Sequence, residues 1–290
     1  MDLKKAEIIT AMVTPFAEDG GVSYTRLEKL IDYLLDNGTQ GILVSGTTGE
    51  APTLTEKEKL ELVAKSVELV AGRVPVIAGT GSNSTRATIE YTNKVAEIEG
   101  VDAALVVVPY YNKPDQAGMV AHFTDVADKS RLPLFIYNVP GRTGVTMEVE
   151  TIAELAQHPN IIGLKDCTGN VNLSRIVSVT PDDFLVYTGE DADALAAKTL
   201  GAQGVISVVS HLYGNKLNDM FAAVEDGEYK KAGELMRYLT PKVADVFSAP
   251  SPSPVKAALN YLGVEVGGCR LPILPLSAEE TRKLVKKLGI

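Results

Sequence analysis

Lys165 closes an apolar run, Ile161-Ile162-Gly163-Leu164, and is followed at once by Asp166-Cys167-Thr168-Gly169. Such a run reads as a short strand buried on both faces and ended by turn residues. Lysine is seldom fully buried, because an unpaired ammonium is costly to desolvate. A lysine at this position either extends its tip to solvent or is held there for chemistry. Burial lowers a lysine's pKa, and the neutral amine attacks carbonyl groups. A keto acid captured as an imine becomes an electron sink that acidifies the neighbouring carbon.

Forming and using an imine takes several proton transfers, and the chain offers hydroxyl groups for them. Thr47 and Thr48 sit in Gly46-Thr47-Thr48-Gly49-Glu50, Tyr110 and Tyr111 follow Val108-Pro109, and Tyr137 precedes Asn138-Val139-Pro140-Gly141. Backbone N–H groups and hydroxyls of the threonine turn suit a carboxylate, and the planar fork of Arg142 suits a second one. Each residue also has a plainer reading. The threonines could bond their own backbone, the tyrosines could be wall packing, and Arg142 could pair with a surface carboxylate. What decides is whether the fold gathers them.

Short β-type runs recur at residues 8–13, 41–45, 74–78, 103–108, 133–138, 161–165, 184–188 and 204–209, each ended by turn-forming or functional residues. The stretches between them are amphipathic. Leu27, Leu30, Ile31, Leu34 and Leu35 follow one helical face before Asn37-Gly38, and Leu60, Val63, Ala64, Val67 and Ala71 repeat the pattern before Gly72. Strands alternating with helices imply parallel pairing and right-handed crossovers. Eight such units predict an α/β fold, a closed (β/α)8 TIM barrel over residues 1–214, with its catalytic groups at the C-terminal ends of the strands. Those ends carry Lys165, Thr47, Thr48, Tyr110, Tyr111, Tyr137, Arg142 and Gly189, with Ile206 in the last strand. An open doubly wound sheet is the alternative, but no Gly-x-Gly-x-x-Gly follows the first strand. Residues 215–290 read as a helical extension packed on the barrel, and Pro250–Pro254 as a rigid loop.

With 290 residues, 45% hydrophobic and 22% charged, the chain can bury a large core. A formal charge of −9 argues against nucleic acid or an anionic membrane as partner. No apolar run nears the roughly 20 residues of a membrane span, and the segment before Ile8 lacks the apolar core of a signal peptide. His122, His158 and His211 are scattered, and Cys167 and Cys269 show neither metal spacing nor a disulfide framework. A cytoplasmic enzyme without metal or organic cofactor is the expectation, with Cys167 read as packing.

The motifs Gly46–Glu50, Val76–Gly81, Pro109–Pro114, Tyr137–Gly144 and Lys165-Asp166 together resemble the pyruvate-dependent class I aldolase superfamily, and within it the dihydrodipicolinate synthases. The resemblance covers nearly the whole chain. It implies that Lys165 forms a Schiff base with pyruvate, that Tyr137 moves protons beside it, and that Thr47 links Tyr137 to Tyr111 of a neighbouring subunit. It further implies that Thr48 and Ile206 hold pyruvate, and that Arg142, with Gly189 nearby, takes L-aspartate 4-semialdehyde. A homotetramer built from tight dimers, or a homodimer, is the implied assembly. Sialic-acid lyases share the lysine and tyrosine but typically carry Ser-Thr-Gly-Glu at Thr47-Thr48 and lack an equivalent of Arg142. Asp166 stands where many members have Glu. The enzymatic rival is a lyase of sugar acids, and the non-catalytic rival a keto-acid-binding barrel. Inhibition by lysine, common among relatives, is not expected here, because Ala51, Pro52, Glu56, Lys59 and Ala87 replace groups that would hold it.

Overall fold

The strands β1 (Ile8–Ala11), β2 (Gly41–Val44), β3 (Val76–Gly79), β4 (Ala103–Val107), β5 (Leu134–Asn138), β6 (Ile161–Asp166), β7 (Leu185–Thr188) and β8 (Gly204–Ser207) each pair in parallel with the next. β8 returns to β1, so the computed structural model, which describes residues 2–290, is a closed (β/α)8 barrel. All eight expected strands form, with ends that shift for local reasons. β3 starts after Pro75, which has no N–H to give the ladder. β8 stops at Ser207 because the N–H groups of Val208 and Val209 turn to the Asp191 carboxylate, both at 3.0 Å.

Alternation along the strands sorts side chains into two layers. Ile9, Leu43, Ile77, Leu105, Phe135, Tyr137, Leu185, Tyr187 and Ile206 fill the barrel interior. Ile8, Ile42, Val44, Val76, Val106, Ile136, Leu164, Val186 and Val205 face the helices. Gly163 must be glycine, since a Cβ there would collide with the Phe135 ring and the Leu185 carbonyl. Phe135 thereby reaches Tyr187, ring centroids 5.9 Å apart, and fills the space beneath the mouth. Two positions beyond Gly163 on the same face comes Lys165, in register with Tyr137 on one side and Tyr187 on the other. The lysine therefore points into the barrel.

The outer helices follow their apolar stripes. Helix Tyr24–Asp36, capped by Ser23, buries Leu27, Leu30, Ile31 and Leu34 as the spacing predicts. Helix Glu56–Val70, closed at its start by a Thr55–Glu58 capping box, departs from expectation. It buries Leu62, Val63, Ser66 and Val70, while Ala64 is exposed. Apolar residues run around more than one side of this helix, and the barrel takes the stripe that carries Leu62.

After β8 the helix Ser210–Glu225 packs on β1 and on helix Tyr24–Asp36. The expected boundary between residues 214 and 215 falls inside it, one residue past its kink at Tyr213. Helices Tyr229–Val246, Ser253–Tyr261 and Ala278–Leu288 follow, and the Tyr213 hydroxyl donates to the Leu288 carbonyl at 2.8 Å. The rigid loop expected over residues 250–254 is shorter. Pro254 lies in the first turn of helix Ser253–Tyr261, where the N–H it lacks has no partner to lose.

Candidate functional site

A cleft of about 350 Å³ opens at the C-terminal ends of the strands and is lined by Lys165, Tyr137, Thr47, Thr48, Arg142 and Tyr110. Residues 118 positions apart in sequence thus meet in one cavity of ordinary small-ligand size. At its base lies Lys165, 6% exposed, with Nζ 4.4 Å from the centroid of the Tyr137 ring. Among the described residues its amine has neither a hydrogen bond nor an ion pair. Behind it, Gly189 leaves the room its stem requires, since a Cβ there would stand 2.6 Å from Lys165 Cε.

The neighbouring strand positions, facing outward, brace this pair. Asn138 donates to Asp166 at 3.0 Å and to the Met147 carbonyl at 3.1 Å, and accepts from the Met147 N–H. Asp166 also accepts from the Thr168 N–H and hydroxyl. These bonds lock β5 to β6 and fix both ends of the loop whose short helix, Pro140–Thr143, carries Arg142. Asp166, read from sequence as a mild departure, is therefore a structural tie beside the lysine. Asp191, which sequence reasoning missed, is fully enclosed and accepts from the Ser207 hydroxyl at 2.5 Å as well as from the two valine N–H groups. Burial pushes its carboxyl above the ordinary range despite those bonds and the nearby charge of Lys165.

The threonine turn is held in an uncommon backbone shape. Ser45 and Glu50, which bracket it, have φ of 57° and 56°, left-handed values that cost about 1–3 kcal/mol apiece for residues other than glycine. Thr48 is buried and Thr47 exposed on the cleft wall. Ile206 lies in the interior layer with Ile9 and Tyr137 and does not line the cleft. Tyr111 does not line it either. That residue is 88% exposed with φ 75°, and no hydrogen bond joins it to Thr47 or Tyr137 among the described residues. Burial pushes the Cys167 thiol up to about 12, which leaves it protonated at neutral pH and unfit as a nucleophile.

Residues 4–290 match the profile described as the dihydrodipicolinate synthetase family. A curated 4-hydroxy-tetrahydrodipicolinate synthase from Ligilactobacillus salivarius is 63% identical over 290 residues, the whole of both chains. The crystal structure of a dihydrodipicolinate synthase from Bacillus anthracis superposes with a TM-score of 0.96 at 47% identity, covering 98% of each chain. That of the Cyanidioschyzon merolae enzyme with lysine bound does so at 0.94 and 42% identity, covering 99% of each.

Proposed function

The chain belongs to the dihydrodipicolinate synthetase family, and from that premise we propose how its own residues carry the reaction. It is a lyase that condenses pyruvate with L-aspartate 4-semialdehyde to 4-hydroxy-tetrahydrodipicolinate, in diaminopimelate and lysine biosynthesis. Lys165 attacks the keto carbon of pyruvate, and loss of water leaves an imine. Tyr137 carries protons in that step and in the loss of a methyl proton that turns the imine into an enamine. The enamine carbon adds to the aldehyde. The substrate's own amine then displaces Lys165 by transimination as the ring closes.

The observation that carries this assignment is the buried, unpaired amine of Lys165, in register with Tyr137 and 4.4 Å from its ring. Thr48 and the adjoining backbone hold the pyruvate carboxylate, Ile206 packs in the layer beneath the cleft, Gly189 leaves room for the Lys165 stem, and Arg142 at the mouth takes the carboxylate of the semialdehyde. Thr47 passes protons from Tyr137 to Tyr111 of a second copy. What supports the second copy is the exposure of Tyr111 outside its own cleft. The assembly is a homodimer or a tetramer built from such dimers, in the cytoplasm. No helix among the described residues is long and apolar enough to cross a membrane.

A coupled assay of the purified protein with pyruvate and a panel of aldehydes tests this reading. Condensation should be selective for the semialdehyde. Cleavage of a hydroxylated keto acid, with no condensation, would move the assignment to a sugar-acid lyase.

A further inference from the structure

We propose that Lys256, outside the barrel on helix Ser253–Tyr261, is a positioning residue for the Thr47-Thr48 turn, acting through Glu50. The inference rests on the site reading above and adds a residue to it. Glu50 ends the turn in a left-handed conformation, and such residues persist only where their surroundings fix them. Both of its carboxylate oxygens are claimed by the C-terminal segment. Lys256 Nζ donates to one at 2.6 Å and the Arg270 N–H to the other at 2.8 Å. The side chains of the ion pair are 2% and 1% exposed.

The partners are fixed in turn. Lys256 also donates to the Gly268 carbonyl at 2.7 Å and lies 4.2 Å from the centroid of the Phe16 ring. Arg270 lies 4.5 Å from the same centroid, pairs with Glu58 at 2.5 Å, and donates to the Thr53 carbonyl at 2.8 Å. Thr53 in its turn donates its N–H and its hydroxyl to the Glu50 carbonyl, both at 2.9 Å. The backbone on the far side of the threonines is thus clamped through the side chain, the carbonyl and the following turn. Neither Glu50 nor Lys256 lines the cleft, so neither touches substrate. A buried ion pair is a weak stabiliser compared with an apolar pair of equal volume. What this one supplies is direction, two charge-assisted bonds aimed at a residue three positions from Thr47 and two from Thr48.

The test uses the full-length enzyme, with working sites counted by borohydride trapping of pyruvate. The paired variant Glu50→Gln/Lys256→Met removes both charges and leaves no buried carboxylate unpaired. It should fold and trap pyruvate at Lys165 in full. Turnover per trapped site should fall on the order of tenfold, the scale of a small misplacement of catalytic groups. Lys256→Arg, which keeps a cation on Glu50, should recover most of that loss. Wild-type turnover per trapped site in the paired variant would overturn the proposal and leave the ion pair as packing alone. Should that variant not fold, Glu50→Asp, which draws the anchor back by one methylene, is read by the same ratio, and an unchanged ratio overturns the proposal. Failure of the unmodified enzyme to trap pyruvate at Lys165 is a different outcome, which overturns the site reading and this inference with it.

Discussion

Lys165 and Lys256 are both buried, at 6% and 1% exposure, and their surroundings are opposites. Lys256 is saturated, with the Glu50 carboxylate, the Gly268 carbonyl and the Phe16 ring around its ammonium. Lys165 has the Tyr137 ring and open cleft. A saturated ammonium is held in place by its partners and can serve only as an anchor. An amine with no carboxylate bonded to it is free to turn toward a substrate, and the open cleft gives a keto acid space to meet it. Burial alone does not mark a reactive lysine. The missing partner does.

The contrast is sharpest when the same substitution is made at both sites. Lys165→Met should abolish turnover, by on the order of 10³-fold or more, while leaving the melting temperature unchanged or raised. Lys256→Met should destabilise by roughly 3–5 kcal/mol, because it strands the Glu50 carboxylate. Thermal melts and steady-state rates on the two proteins check this, and a Lys165→Met protein as unstable as Lys256→Met would erase the distinction. Tyr137→Phe comes next, with turnover down on the order of 10²-fold and pyruvate affinity less affected, as for a positioned acid–base group. If that variant keeps full turnover, Tyr137 is only the wall against which Lys165 rests. Arg142→Ala should raise the KM for the semialdehyde on the order of tenfold while imine formation with pyruvate stays largely intact. Equal loss of both would place Arg142 in pyruvate binding instead.

Sequence patterning was most informative where periodicity carries the signal. Eight strands were legible as short apolar runs, since a parallel barrel buries both faces of each strand, and helix Tyr24–Asp36 by apolar positions three to four apart. Lys165 stood out as a charge breaking such a pattern. Lys256 gave no such sign, since Ser-Pro-Val-Lys-Ala-Ala reads as an ordinary amphipathic helix and its partner is 206 residues away. Asp191 was equally silent, because an acidic residue in a Gly-Glu-Asp turn looks solvated until the strand end folds over it. The stripe of helix Glu56–Val70 was misplaced because that helix is apolar on more than one side, which leaves the choice to tertiary packing.

A third lysine gives the smallest expected effect. Lys59 lies 4.5 Å from the centroid of the Tyr91 ring, on the wall of the same cleft as Ala51 and Pro52, and burial holds its pKa below the ordinary value. The Glu56 carboxylate, three residues before it, is taken by Lys94 at 2.5 Å. Positive charge there repels a cationic ligand, so millimolar lysine should leave the rate unchanged, in contrast to a relative that binds lysine. Partial inhibition below about 1 mM would show that Lys59 retains little charge or swings aside.

The most direct test of the account is to reduce the enzyme with borohydride in the presence of pyruvate and map the adduct by peptide mass. The prediction is a single pyruvate-derived increment on Lys165, none on Lys256 or Lys59, and loss of activity in proportion to labelling. An adduct on another lysine, or none at all with the enzyme active, would contradict it.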